Sequence, residues 1–240
     1  MKSRFPASWQ VIGRSCVDWW DSWFDMLGVV VVWLLAQFTI VLGPPATFGL
    51  YYVVYHLVNG ESLGIRGLIE GGRKYFGAAW LWNIINLVML VTLYFNVAFY
   101  GQFQADWRYF LQIFFVILIG IWLAGQFYAL AFFHEQVKGH ILIALRSGVL
   151  MALATPFFTI LLMVFAALVV IICAGTILPV FLGFPALVPI LGARAVQNRL
   201  VAFGIRKREK TPKELEREES SRINFPGASQ ISDSEGQVEK

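Results

Sequence analysis

The sequence predicts an all-α integral membrane protein, a bundle of about six transmembrane helices whose N- and C-termini lie in the cytoplasm. Hydrophobic residues make up 58% of the chain and charged residues only 14%, whereas a soluble domain carries about 25% charged residues. The charged residues are also unevenly distributed along the chain. Four runs contain no Asp, Glu, Lys or Arg, namely 26–60, 75–105, 109–134 and 147–193. Because one bilayer crossing needs about 20 apolar residues, these runs predict several crossings.

The first charge-free run is interrupted by Gly43, Pro44 and Pro45. Proline lacks the N–H that a helix interior needs, and it disfavours a helical conformation of the residue before it. We therefore predict a topology turn at these three residues, between spans at about 25–43 and 45–59. Its backbone groups would be satisfied by water at the outer surface. The alternative is a single long helix that is kinked at the prolines.

The remaining runs predict spans at about 77–101, 108–133, 148–172 and 177–200, with the last two divided near residues 173–176. Lys and Arg are enriched in cytoplasmic loops. With the N-terminus inside, 18 of the 19 basic residues lie on the cytoplasmic side, and only Arg108 lies outside. A kinked single helix in place of the hairpin would move Arg66, Arg73 and Lys74 to the other side. The charge distribution therefore favours the hairpin.

The two ends of the chain differ from the apolar centre. Residues 1–25 contain four Trp among charged residues and predict an N-terminal amphipathic segment at the membrane interface. Residues 26–203 form the predicted six-helix transmembrane domain, and 204–240 a cytoplasmic, charged and largely disordered tail. A basic cluster predicted to face lipid headgroups precedes and enters this tail, at Arg199, Arg206, Lys207, Arg208, Lys210 and Lys213. Such a cluster either attracts anionic lipids or serves only as a topology signal.

No catalytic motif is recognisable. His134-Glu135 begins like the helix of a zinc protease, but Lys138 stands where the second His is required. We expect no catalytic, cofactor or metal site, no enzymatic activity and no nucleic-acid partner. The charged and His residues at the helix ends are instead predicted to form a polar cluster at the cytoplasmic rim, comprising His56, Glu61, His134, Glu135 and His140.

Uncharged polar residues occur within the predicted spans, and we interpret them as candidate intramembrane contacts. They are Asn83 and Asn86 on the third span, Gln112 and Gln126 on the fourth, and Thr155 and Thr159 on the fifth. Such residues usually hydrogen-bond between helices, although the same spacing would also line a polar path. Proton relays and ion coupling usually require a charged residue inside the membrane, which disfavours an ion-coupled carrier. Prolines in the sixth span keep a transporter with broken helices as an alternative.

Two segments carry a resemblance to a known family. Residues 31–61, VVWLLAQFTIVLGPPATFGLYYVVYHLVNGE, and residues 133–156, FHEQVKGHILIALRSGVLMALATP, resemble the YesL-like family of bacterial multi-span membrane proteins. The likeness extends over about 20–205, with Pro45 where the family usually has a small residue. That family is of unknown biochemical function, so no functional residues are carried over.

The resemblance implies a bacterial cytoplasmic (inner) membrane location and an association with carbohydrate uptake. We therefore expect a non-enzymatic, multi-pass accessory or regulatory component. Its expected partners are membrane lipids and either a carbohydrate transporter permease or a second copy of the chain. The alternative is a small-solute transporter or channel that acts alone.

Overall fold

The computed structural model describes residues 7–104, 107–136, 139–176, 179 and 182–205. All regular structure in these ranges is helical, which confirms the all-α prediction. The helices are α1 Ala7–Asp21, α2 Trp23–Gln37, α3 Gly43–Val58, α4 Gly64–Lys74, α5 Phe76–Gly101, α6 Trp107–Glu135, α7 Ile141–Ala154, α8 Pro156–Gly175 and, after a 3₁₀ turn at Phe184–Ala186, α9 Leu187–Ala202.

Three of the described helices, α5, α6 and α8, are long and apolar enough to cross a membrane. A fourth crossing is added if α1 and α2, which meet at a bend of 88°, count as one broken span. The prediction of an apolar helical protein with several potential crossings is thus confirmed. The chain divides into two units, residues 1–199 and residues 200–240; the site described below lies in the first.

The turn in the first charge-free run lies before Gly43-Pro44-Pro45, which corrects the predicted position. Helix α2 ends at Gln37, the chain turns through residues 38–42, and α3 begins at Gly43 with proline in its first turn. Proline is well suited to that place because the first N–H groups of a helix have no partner within the helix. The two helices form a hairpin, since Gln37 bonds to Gly43 and Trp33 bonds to Thr47.

The fifth predicted span, 148–172, is two helices rather than one. Helix α7 ends at Ala154, Thr155 leaves the helical conformation with φ −136° and ψ 64°, and α8 begins at Pro156. The reason is the steric restriction that a proline places on the residue before it. Helix α8 ends at Gly175, within the predicted division at residues 173–176.

Two more elements differ from the predicted spans. Residues 64–74, expected as a cytoplasmic loop, form the 11-residue helix α4. The sixth predicted span, 177–200, has its long helix only from Leu187, after a 3₁₀ turn that contains Pro185. Parts of residues 177–181 lie outside the described residues.

Small residues bring two helix pairs unusually close. An alanine Cβ at Gly148 of α7 would lie 2.4 Å from the Gly125 carbonyl oxygen of α6. At Gly49 of α3 it would lie 2.2 Å from the carbonyl oxygen of Leu68 in α4. Close packing of backbones through small residues is a main source of helix association in membranes. The pairs α6–α7 and α3–α4 are therefore held at distances that only glycine permits.

The hydrophobic core lies where α3 meets the first turns of α5, the last turns of α6 and the start of α7. Buried Phe48 packs there in one cluster with Ala79, Phe133 and Ile141. The buried residues of α6 all lie at or after Ala124. This packing brings the C-terminal ends of α3 and α6 together, and their polar residues form the site described next.

Candidate functional site

Helices α5 and α6 are joined by hydrogen bonds between indole and amide side chains. Trp82 Nε1 donates to Gln126 Oε1 at 2.9 Å, and Trp122 Nε1 donates to Asn86 Oδ1 at 3.1 Å. The amide of Asn86 also donates to the carbonyl oxygen of Trp82 at 2.9 Å. Three of these four partners are half-buried, and Asn86 is buried. Two residues that the sequence singled out thus take part in contacts between helices.

The other predicted intramembrane residues have varied surroundings. Gln112 Nε2 of α6 donates to the Val97 carbonyl oxygen of α5 at 3.4 Å, and the Thr159 hydroxyl of α8 lies 3.0 Å from the Tyr128 hydroxyl of α6. Thr155 donates to the Met151 carbonyl of the preceding helix at 3.2 Å. Asn83 is half-buried on α5. Thr155 and Thr159 do not share one continuous helix, because the break at Thr155 separates them.

Two of the predicted rim residues are in direct contact. His56 Nδ1 lies 2.6 Å from Glu61 Oε2, just after the end of α3. The His56 ring lies 4.6 Å from the Tyr52 ring between centroids, and the Tyr52 ring lies 6.1 Å from the ring of buried His134. Glu135 accepts a hydrogen bond from Gln197 at 3.4 Å. His140 directly precedes α7 and is exposed, and its backbone N–H donates to Gln136 Oε1 at 3.0 Å.

Aromatic rings surround the His134 side chain. Its imidazole centroid is 5.2 Å from that of Phe133 and 5.3 Å from that of Tyr75, with interplanar angles of 89° and 76°. Phe48 and Tyr55 lie further away, with centroids at 6.2 and 6.5 Å. Within the described part of the chain, His134 Nε2 has no hydrogen-bond partner. Edge-to-face contacts of this kind stabilise packed aromatic groups, so His134 serves here as a packing residue.

A cation lies beside this aromatic cluster. The Lys74 ammonium is 5.5 Å from the Tyr52 ring centroid and 5.2 Å from that of Tyr75. A hydrogen bond with Tyr75 is the main reason that the pKa of Lys74 is raised above its ordinary value. Lys74 is therefore a stable positive charge at the end of α4, where cation–π attraction holds it over the two tyrosines.

A polar network that the sequence did not predict connects four segments. The Arg194 guanidinium of α9 binds both carboxylate oxygens of Asp18 in α1, at 2.6 and 3.0 Å. Arg194 also reaches Gln197 Oε1 at 3.5 Å, and the Gln197 amide donates to Asn59 Oδ1 after α3 at 3.2 Å. The same amide contacts Glu135 of α6. The sequence gives no signal for this ion pair, because 176 residues separate Arg194 from Asp18.

Of the predicted basic cluster, Arg199 is described. Its guanidinium carbon lies 3.6 Å from the Phe158 ring centroid, and among the described residues its buried Nε has no hydrogen-bond partner. Arg199 thus packs against α8. The other predicted members, Arg206, Lys207, Arg208, Lys210 and Lys213, lie outside the described residues.

An apolar groove of about 420 Å³ lies beside this network, between α1, α8 and the start of α9. Its lining is Cys16, Val17, Trp19, Trp20, Phe165, Val169, Phe184 and Leu187. Trp19 is fixed there by the bond from its Nε1 to the Gly183 carbonyl oxygen at 3.1 Å. The groove therefore favours apolar groups over sugars or ions.

In the described ranges no group of three or more His, Cys, Asp or Glu side chains is placed to hold a metal ion. No protein-family model matches the chain, and neither the curated proteins nor the solved structures contain a match. The described residues define a helical protein in which three helices, or four spans if α1 and α2 count as one, are long and apolar enough to cross a membrane, and in which a polar network joins helix ends. The resemblance to the YesL-like family stays a prediction.

Proposed function

We propose that this chain is a multi-pass protein of the bacterial inner membrane, without catalytic activity, that assists or regulates carbohydrate uptake through protein contacts. The observation that supports this proposal best is that polar side chains within the helices bond to neighbouring helices. Asn86, Gln126 and Thr159 each bond to an aromatic side chain of a neighbouring helix. Such bonds stabilise helix association by about 0.6–2 kcal/mol each. The proposed partners are membrane lipids and a carbohydrate transporter permease or a second copy.

The alternative is a small-solute transporter or channel that acts alone. Sites for small ligands combine apolar walls with a few placed polar groups, and a sugar requires several hydrogen-bonding partners. The groove at Trp19 and Phe165 has an apolar lining. Three amide side chains of α5 and α6, those of Asn86, Gln112 and Gln126, each make a bond to the other helix. These features favour an accessory role over transport by this chain.

The accessory role is tested by purification from native membranes followed by mass spectrometry. We expect a permease or a second copy of the chain to co-purify, and the pure protein in liposomes not to move sugar. The matched variant carries Gln112→Leu and Gln126→Leu, which remove two bonds between α5 and α6. It should lower thermal stability slightly and leave sugar flux in cells unchanged. Sugar flux by the purified chain that the double variant abolishes without unfolding would support the transporter instead.

We also propose that both termini are cytoplasmic, because this orientation places 18 of 19 basic residues inside. Reporter domains fused before Met1 and after Lys240 should both report a cytoplasmic location. A fusion after Gln102, in the turn that follows α5, serves as the control and should report the outer side. A periplasmic signal from either terminus would overturn the orientation.

A further inference from the structure

We propose that α2 and α3 form a re-entrant hairpin, which enters and leaves the membrane at the same face. Its turn, residues 38–42, lies among the acyl chains of the bilayer and does not emerge on the far side. The charge distribution fits this arrangement as well as two full crossings, because either one returns Arg66, Arg73 and Lys74 to the side of the N-terminus. Other properties of the hairpin decide between them.

The first property is length. Helix α2 has 15 residues and α3 has 16, so they are about 22 and 24 Å long at about 1.5 Å per residue. The hydrocarbon core of a bilayer is about 30 Å thick. In contrast, the 26 residues of α5 extend about 39 Å. Neither arm of the hairpin crosses the core on its own length, whereas α5 does.

The second property is the register of α3 against α5. Phe48 packs on Trp82, with ring centroids 5.9 Å apart, and Tyr52 packs near Tyr75, with centroids 6.1 Å apart. The contacts thus lie close to the start of α5. From Phe48 back to Gly43 the helix rises at most about 8 Å, and the three residues before Gly43 add at most about 10 Å. From Trp82 to its end, α5 continues for about 28 Å, so the turn stops about 10 Å short of that end.

The third property is the backbone of the turn. In the hydrocarbon region each backbone N–H or C=O without a hydrogen-bond partner costs several kcal/mol, so a turn at this depth depends on bonds within the protein. Of the seven N–H groups from residue 38 to residue 46, five donate at 2.9 to 3.3 Å to backbone carbonyls of the turn or of the end of α2, namely those of Phe38, Thr39, Leu42, Gly43 and Ala46. The N–H groups of Ile40 and Val41, at the tip, make no such backbone bond. Pro44 and Pro45 have no N–H to satisfy. The Gly43 carbonyl accepts from Gln37 Nε2 at 3.2 Å and from Thr47 Oγ1 at 3.1 Å.

The fourth property is the surface of the turn. Phe38 is 82% exposed and Ile40 is 84% exposed, and Val41 and Leu42 are exposed beside them. A turn that faces water is usually built from Gly, Asn, Asp, Ser and Pro. A contiguous exposed apolar patch marks an interaction site. With no charged residue between Asp25 and Glu61, acyl chains are the occupant that fits this patch.

The proposal is tested by the accessibility of single cysteines to a membrane-impermeant maleimide. The background is the full chain with Cys16 and Cys173 replaced by alanine, and the test variants are Ile40→Cys and Phe38→Cys. Controls are Gln102→Cys in the turn after α5 and Glu70→Cys on the exposed face of α4. We expect each control to react from one side of the membrane. Positions 38 and 40 should stay unlabelled in sealed spheroplasts and in inverted vesicles, and should react after detergent solubilisation.

A second measurement identifies what covers the turn. A bimane fluorophore attached at position 40 should be quenched in liposomes whose lipids carry brominated acyl chains, whereas bimane at position 70 should be quenched much less. Labelling of position 40 from the outer side to the extent of position 102 would show that the hairpin crosses the membrane and would overturn the proposal. Labelling from the cytoplasmic side would overturn it too. So would an absence of quenching, which would mean that protein, such as a second copy, covers the turn.

Discussion

Replacing Gly49 with alanine is expected to separate α3 from α4 and to lower the free energy of unfolding by about 1–3 kcal/mol, the usual cost of overpacking. The added Cβ would lie 2.2 Å from the Leu68 carbonyl oxygen and 3.1 Å from the Gly72 backbone nitrogen. Both are backbone atoms, so neither can rotate away, and the helices must move apart. Thermal unfolding of the purified protein in detergent measures the loss.

The matched control is Gly120→Ala in α6. Its added Cβ would meet nothing within 4 Å. Alanine is favoured over glycine in a helix by about 0.5–1 kcal/mol, so this variant should be as stable as the native chain or slightly more stable. If Gly49→Ala unfolded at the same temperature as Gly120→Ala, the close approach of α3 and α4 would not contribute to stability.

Replacing Arg194 with alanine is expected to have an effect of similar size, because it leaves the Asp18 carboxylate without its partner. The side chains of Arg194 and Asp18 are only 18% and 22% exposed. Removing one partner of a fully buried pair costs about 3–5 kcal/mol; with about a fifth of each side chain exposed, we expect a loss of about 2–3 kcal/mol. Gln197 also loses a contact. Chemical unfolding in detergent measures the change.

Two further variants isolate the ion pair. Arg146→Ala removes an exposed arginine of α7, and a surface change of this kind should alter stability by less than about 0.5 kcal/mol. The double variant Asp18→Leu with Arg194→Met should recover much of the loss, because an apolar pair often replaces a buried ion pair at little cost. Equal stability of Arg194→Ala and Arg146→Ala would show that the pair does not hold α1 to α9.

Composition and the lengths of the apolar runs predicted the fold class and the extent of the longest helices correctly. The predicted spans 77–101 and 108–133 match α5 and α6 to within a few residues, because an uninterrupted apolar run of that length forms one helix in a membrane. Pro156 in the sequence also indicates the break at Thr155. The prediction missed this break because residues 147–193 form one uninterrupted charge-free run. The turn at residues 38–42 contains no glycine or proline. The prediction therefore placed the turn at Gly43-Pro44-Pro45, which is the start of α3.

The contacts between polar residues could not be predicted from the sequence and follow from how the helices pack. His56 and Glu61 are five residues apart, and their contact follows from a short connection after α3. Asp18 and Arg194 are 176 residues apart, and Gln197 and Asn59 are 138 apart. Their pairing depends on how α9 packs against α1 and against the end of α3. Hydropathy along the sequence shows which segments are apolar enough to cross a membrane, whereas side-chain partners depend on helix crossing and register, which arise only when the helices pack.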